Sequence, residues 1–434
     1  MKSIAEDALK EALKYTDYVE VFIEEDRSMN VELKNDKIDF AKNEINMGLG
    51  IRVIIDNKMG FAYTSNLSKI DEIVKKAVDN SKANVVDEHF KLAEVGKYPV
   101  IKGVYDSKFE SFSVEDAIDF SQRLLDTSID AGCEPTSGGF STGKSTSLIL
   151  NSNGVECGNI ETGFGGFIAV NAERDGEKST AYDSASSCFM SEVNPEKLAT
   201  EVCALANDSI GGKSIETSDM DVVLDYHAGI GLLGTFISGF SADNVQRGRS
   251  MLADKLGEKM LSSNLSVYDD GTLEGGMNSS KCDGEGTPSQ KTCLVDNGVI
   301  NSFIYDLYTA SKGNSLSTGN AGRSYSSTPS ITTSNIIVDF DEYIDLEDVK
   351  RGIWVTDVLG AHTANPISGD FSVEVNNAFI IENGELVAPV KKGMLSGNIF
   401  EVLSDVEALS NSVKQKGSVI LPRLLAHNLR VIGD

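Results

Sequence analysis

A chain of 434 residues, 40% apolar with only 8 prolines, exceeds the roughly 250–300 residues one hydrophobic core spans, so two folded domains are expected and wholesale disorder is excluded. The formal charge of −27 argues against nucleic acid and anionic membranes as partners, since both are held chiefly by Lys and Arg neutralising phosphates. Glu6, Asp7 and Glu11 interrupt the amino-terminal stretch where a signal peptide would be basic and then apolar, and no apolar run is long enough to cross a bilayer, so the expected location is the cytoplasm.

Ile4, Ala8, Leu9, Ala12 and Leu13 recur at helical spacing, and 18–24 then alternates as a strand does. Met47, Leu49, Ile51, Val53 and Ile55 occupy every second position, followed by an Asn57-Lys58 corner and alternating Met59, Phe61 and Tyr63. That pattern predicts an antiparallel hairpin with one buried face. Ser65 or Asn66 can cap a helix bearing Ile70, Ile73, Val74, Ala77 and Val78, and Ser113 with Asp116 opens a second one bearing Ala117, Leu124 and Leu125. Both helices are expected to cover the sheet. Residues 146–184 return to alternation, punctuated by Asn153-Gly154 and Asp175-Gly176, dipeptides suited to positive φ; Asn194-Pro195 then starts a helix through Leu198, Val202 and Leu205.

The polar, glycine-bearing stretch 211–219 marks the boundary between an N-terminal domain, 1–212, and a C-terminal domain, 213–434. Beyond it lie a short buried strand at 221–224, an apolar helix over 230–240, and hairpins at Asn297-Gly298 and Asn383-Gly384. The fold class read from this order is α+β: an antiparallel sheet with covering helices, then a mainly β, barrel-like domain. No internal repeat is visible.

Gly138 to Ser145 matches the P-loop string GxxxxGK[ST], and 221–225 resembles a Walker B strand. A P-loop works only when a buried strand feeds the glycines and a helix begins at the lysine. Here 133–137 does not read as a strand core, and 145–151 alternates toward an Asn-Gly turn. The segment is therefore read as an exposed hairpin loop, not a nucleotide site. The four histidines, His89, His227, His362 and His427, are far apart, and no HExxH is present. His227 near the start of the apolar helix reads as a helix-end or hydrogen-bonding residue. No GxSxG elbow appears, and a His362–Cys282 dyad has no support in the sequence. The six cysteines contain no CxxC pair and read as buried apolar residues or free thiols.

Residues 221–252, from Val222-Val223-Leu224 through Gly231-Leu232-Leu233 to Gln246-Arg247-Gly248-Arg249-Ser250, resemble the central block of the TldD/PmbA family. The likeness extends to 48–53, Asn151-Ser152-Asn153-Gly154, 318–322, 368–372, 381–384, Ser396-Gly397-Asn398 and 417–422, so it spans nearly the whole chain. In the catalytic branch of that family, a helical HExxxH follows the Leu-Leu pair, its histidines binding zinc and its glutamate acting as base. Aligned on Leu232-Leu233, this chain has Gly234 and Gly239 at the ligand positions and Thr235 at the base position. None of these can hold zinc or take a proton from zinc-bound water. The resemblance therefore implies the PmbA, or TldE, branch. It implies a chain with no metal and no catalytic residue of its own, inactive alone, in a cytoplasmic peptidase that degrades unfolded peptides and processes small precursors. Zinc is expected in a TldD-like partner subunit. The alternative is a self-contained homodimer that binds peptides or a small molecule and hydrolyses nothing.

Overall fold

The computed structural model describes residues 1–433. Helix α1 (Lys2–Ala12) precedes six strands, β1 (Val19–Lys34), β2 (Lys37–Ile55), β3 (Lys58–Thr64), β4 (Glu134–Asn151), β5 (Glu156–Arg174) and β6 (Glu177–Ser187). They form one antiparallel sheet in the order β3-β2-β1-β4-β5-β6. The corner after β2 falls one residue earlier than expected, with Asp56 and Asn57 at φ 51° and 58°; Asp175-Gly176 turns β5 into β6 at φ 55° and 84°. Such positive φ values suit the twist of a two-residue hairpin.

Helices α2 (Ile70–Ala83), α3 (Val114–Asp130) and α4 (Pro195–Asp208) cover one face of this sheet. Asn66, rather than Ser65, accepts the capping bond ahead of α2 through the Ser68 amide. Ser113 and Asp116 form the reciprocal capping box of α3, and Asn194 caps α4 with Pro195 in the first turn. Alternation then does the burying. Leu49, Ile51 and Val53 lie fully buried under α1 and α2, while Phe120, Leu124, Phe140, Phe164 and Ile168 fill the space under α3 and α4. Each such aliphatic side chain contributes about 1.5–3 kcal/mol relative to exposure.

The sequence expectation for the P-loop string is corrected here. Gly138 to Ser145 is neither loop nor hairpin: it lies inside β4, bonded on one side to β1 and on the other to β5. Residues 134–137, set aside as non-strand, belong to the same strand. The glycines serve strand crossing, since a Cβ on Gly139, whose φ is +148°, would fall 2.0 Å from the Val31 carbonyl oxygen.

The second part begins with β7 (Ser218–Leu224), α5 (Tyr226–Ser238) and α6 (Ala242–Gln246). There follow β8 (Leu265–Asp270), β9 (Lys291–Asp296), β10 (Val299–Ile300), α7 (Leu307–Lys312), β11 (Ala321–Gly322), β12 (Ser330–Ile331), β13 (Ile336–Phe340) and β14 (Tyr343–Ile344). The chain closes with β15 (Arg351–Leu359), β16 (Asp370–Glu382), β17 (Glu385–Pro389), β18 (Met394–Asn398), α8 (Ile399–Ser404), β19 (Val406–Lys416) and β20 (Val419–Ile432). Pairing runs β20-β18-β16-β15-β7, and β7 pairs back onto β20, closing a ring. The barrel-like expectation and the α+β class hold. The break in register between Ala426 and Leu429 lets β20 serve several neighbours. Asn297-Gly298 and Asn383-Gly384 form the turns of the β9–β10 and β16–β17 hairpins. No helix among the described residues is long and apolar enough to cross a membrane.

Candidate functional site

Helix α5 starts where Asp225 accepts the Tyr226 amide, four residues before the expected start of the apolar run. Tyr226, Ala228, Leu232, Leu233 and Phe236 pack into the core shared with Val355, Val373, Leu395 and Leu429 of the barrel. That leaves Ile230, Gly234, Ile237 and Ser241, spaced by three or four, along the floor of a cleft of about 750 Å³. Arg52, Met59 and Phe90 from the first domain form one wall; Glu285, Ile304, Tyr308 and the segment 328–333 form the other. A large, mostly apolar concavity with a few convergent polar groups at a domain junction is the usual form of a binding site.

The three positions matching the zinc motif do not share this floor. Gly234 does, and a Cβ built on it would meet nothing within 4 Å. Thr235 is half-buried beside it. Gly239 ends the helix, where an added Cβ would lie 3.3 Å from Leu252 Cδ1 and 3.4 Å from Ser250 Oγ. Five residues along a straight helix advance about 500°, so such a pair points roughly 140° apart unless the helix widens locally. Here it tightens, for the Gly239, Phe240 and Ser241 amides bond to carbonyls three residues back. The residues present do not fit a catalytic zinc, and among the described residues no three His, Cys, Asp or Glu side chains are grouped to hold a metal.

Behind the cleft lies a buried ion network that sequence reasoning missed. Arg52 donates to Glu285 Oε1 at 2.9 Å and to Glu20 Oε2 at 2.7 Å, while Arg323 pairs with the other Glu20 oxygen. Burial opposes the charge on Arg52, but Glu20 and Glu285 hold its pKa above the ordinary guanidinium value. Arg323 is pulled below it, first by burial, and its guanidinium lies over the Phe22 ring at 4.9 Å. Glu285 Oε2 also accepts the Leu307 amide at 2.8 Å, fixing the start of α7, which carries Tyr308 into the cleft. Tyr308 in turn donates to Asp87 at 2.9 Å. The one available signal was a charge, Arg52, inside an apolar strand. Its partners are 32 and 233 residues away.

A second, polar cavity of about 220 Å³ lies between the domains, lined by Glu24, Ser145, Ser147, Asn159 and Glu161 of the sheet and by Cys282, Asp283 and Asn320 opposite. Burial, then Asp26 and Glu24, pushes the Glu161 carboxyl up to about 7.

His227 is not in the cleft. Its Nε2 lies 2.6 Å from Asp183 Oδ1, which also accepts from Lys416 at 2.6 Å. Burial works the other way, yet these donors hold the Asp183 carboxyl down to about 2. The cluster clamps β6 to α5 and β19. His362 occupies a short turn after β15, and Cys282 is bonded to Cys157, which removes the dyad from consideration. This corrects the reading of all six cysteines as apolar residues or free thiols: Cys133, Cys188, Cys203 and Cys293 are free, but Cys157 and Cys282 form a disulfide.

Three models of one family match the chain in succession: PmbA/TldA metallopeptidase domain 1 over residues 19–81, the central domain over 107–210 and the C-terminal domain over 217–433. An uncharacterized protein of Methanocaldococcus jannaschii is 36% identical over 408 residues, 94% of each chain. A crystal structure of a candidate DNA-gyrase modulator from Thermotoga maritima is similar with a TM-score of 0.92, 25% identity and 99% of both chains covered. TldE from Thermococcus kodakarensis has the same fold, with a TM-score of 0.90 at 23% identity, covering 99% of this chain and 100% of that one.

Proposed function

The chain belongs to the PmbA/TldD metallopeptidase family, and from that premise we propose that it is the metal-free subunit of a cytoplasmic TldD/TldE-type peptidase acting on unfolded or small precursor peptides. The observation that carries this reading is the floor of the cleft: where a catalytic relative would present a zinc ligand, α5 presents Gly234, with open space above it. Zinc held by a TldD-like partner supplies the activated water, and this chain positions peptide and shields the reaction from bulk solvent. Positioning alone can lower a barrier by several kcal/mol. A bare glycine suits that task, because an extended backbone can approach the helix closely where no side chain stands. The apolar residues Ile230, Ile237 and Ile304 would take peptide side chains, while Arg52, Asp243 and Arg247 would offer polar contacts.

The test is to purify the chain alone and together with a zinc-bearing TldD-like relative, then follow cleavage of an unfolded peptide by mass spectrometry beside zinc content. Cleavage is expected only for the mixture, with zinc one per partner subunit and none in this chain. Robust zinc-dependent cleavage by this chain alone would overturn the proposal.

A further inference from the structure

We propose that Cys157 and Cys282 form a thiol–disulfide switch that staples the N-terminal sheet to the loop behind the cleft, so that ambient redox poise sets how firmly the cleft wall is held. Cys157 lies on β5 and Cys282 heads the loop 282–289, 125 residues further on, with Cα atoms 6.7 Å apart. Both are buried. The bond joins the two domains directly.

From the sulfur to the cleft is three residues. Asp283 accepts the amides of Glu285 and Thr287 at 2.9 Å and of Ala321 at 3.0 Å, which gives the loop its shape. Glu285 then holds Arg52 and the first amide of α7. Releasing Cys282 removes the disulfide cross-link between this loop and the sheet. Opening then requires only that hydrogen bonds and ion pairs yield.

Cys282 lines the polar cavity, so a small thiol has a route to it. Glu24 and Glu161 line the same cavity and oppose a thiolate there, which slows exchange with anionic glutathione more than with a neutral dithiol. In the oxidising direction, the Cys282 thiolate attacks one sulfur of glutathione disulfide and expels one glutathione thiolate. Cys157 then attacks the mixed disulfide at Cys282 Sγ and expels the second. The two thiol protons end on the two glutathiones, and the two electrons lost by the cysteine pair reduce the glutathione disulfide. In a reducing compartment such a pair cycles instead of persisting.

The native chain, equilibrated in glutathione buffers from oxidised to reduced, is quenched, unfolded, alkylated and weighed. Four alkylated thiols are expected at the oxidised end, matching the four free cysteines, and six at the reduced end, the total in the chain. Hydrogen exchange in 282–289 and 307–312 should quicken about threefold or more on reduction, with α3 and α4 unchanged, and Tm should fall by roughly 5–10 °C. Cys157→Ser should show the faster exchange of the reduced state in 282–289 and 307–312 at every poise, whereas Cys293→Ser should still respond. Six thiols throughout, or identical exchange of the two segments in both states, overturns the switch, and these wild-type readouts decide it even if Cys157→Ser does not fold. Only the consequence for a bound peptide rests on the peptidase reading. No peptide enters the measurement, so the two can fail independently.

Discussion

Replacing Glu161 by glutamine should stabilise the protein at alkaline pH and leave it nearly unchanged at pH 4.5. Glu161 faces the polar cavity, where burial, with Asp26 and Glu24 adding to it, raises its carboxyl from 4.5 to about 7. The folded chain therefore keeps a proton that the unfolded chain releases between about pH 4.5 and 7, so stability declines as pH rises through that window and stays reduced above it. A shift of this size, at about 1.36 kcal/mol per pH unit, corresponds to about 3 kcal/mol at pH 8. Glutamine keeps the shape and carries no charge to desolvate. Urea titrations followed by circular dichroism at pH 4.5, 6, 7 and 8 should show the two proteins diverging steadily, the variant ahead by about 2–3 kcal/mol at pH 8. Parallel curves, or a variant less stable than the parent at pH 8, would refute the reasoning.

Glu285→Ala should cost about 3–5 kcal/mol in denaturant unfolding, because it leaves the buried Arg52 and Arg323 sharing the single carboxylate of Glu20, one positive charge uncompensated, whereas Glu196→Ala, which breaks an exposed pair with Arg123, should cost under about 1 kcal/mol. Gly139→Ala should lower stability by about 1–3 kcal/mol through its contact with the Val31 carbonyl, while Lys144→Ala, losing an ion pair with Glu110, should change neither stability by more than about 1 kcal/mol nor any nucleotide affinity in calorimetry. His427 sits between Asp221 at 3.1 Å and Glu407 at 2.9 Å; burial opposes its charge, but the two carboxylates raise its pKa above 6.5. Its contribution to stability is thus full below about pH 6.5 and lost as pH rises through the raised value; NMR titration should find that value above 6.5, and His427→Gln should flatten unfolding midpoints across the window. The triple change Gly234→His, Thr235→Glu and Gly239→His should bind no stoichiometric zinc by elemental analysis, because the last position is buried against Leu252 at the tightened end of α5.

Periodicity and capping chemistry are local, and they were legible residue by residue: the helix over α2, the Ser113–Asp116 box and the Asn-Gly turns all stand where the sequence places them. The zinc-motif positions come from resemblance along one short segment; the structure adds only their surroundings, open space at Gly234 and the Leu252 and Ser250 side chains at Gly239. The reading of Gly138 to Ser145 as an exposed hairpin loop fails for a related reason: a glycine-rich polar run looks like a loop until its neighbours are known, and those neighbours are β1 and β5. What the sequence alone determined was therefore the α+β class, most of the helices and turns before residue 213, and the family likeness. Tertiary structure decided the face of β2 opposite its apolar one. Gly48, Gly50 and Arg52 alternate with the buried apolar residues of β2 and read simply as more polar, yet a Cβ on Gly48 would strike the Tyr325 ring at 2.2 Å, one on Gly50 the Tyr325 carbonyl at 2.5 Å, and Arg52 meets Glu285. That face docks the second domain, makes the cleft and brings Cys157 to Cys282, because contacts between residues more than a hundred positions apart depend on how the domains close, and no local spacing encodes it.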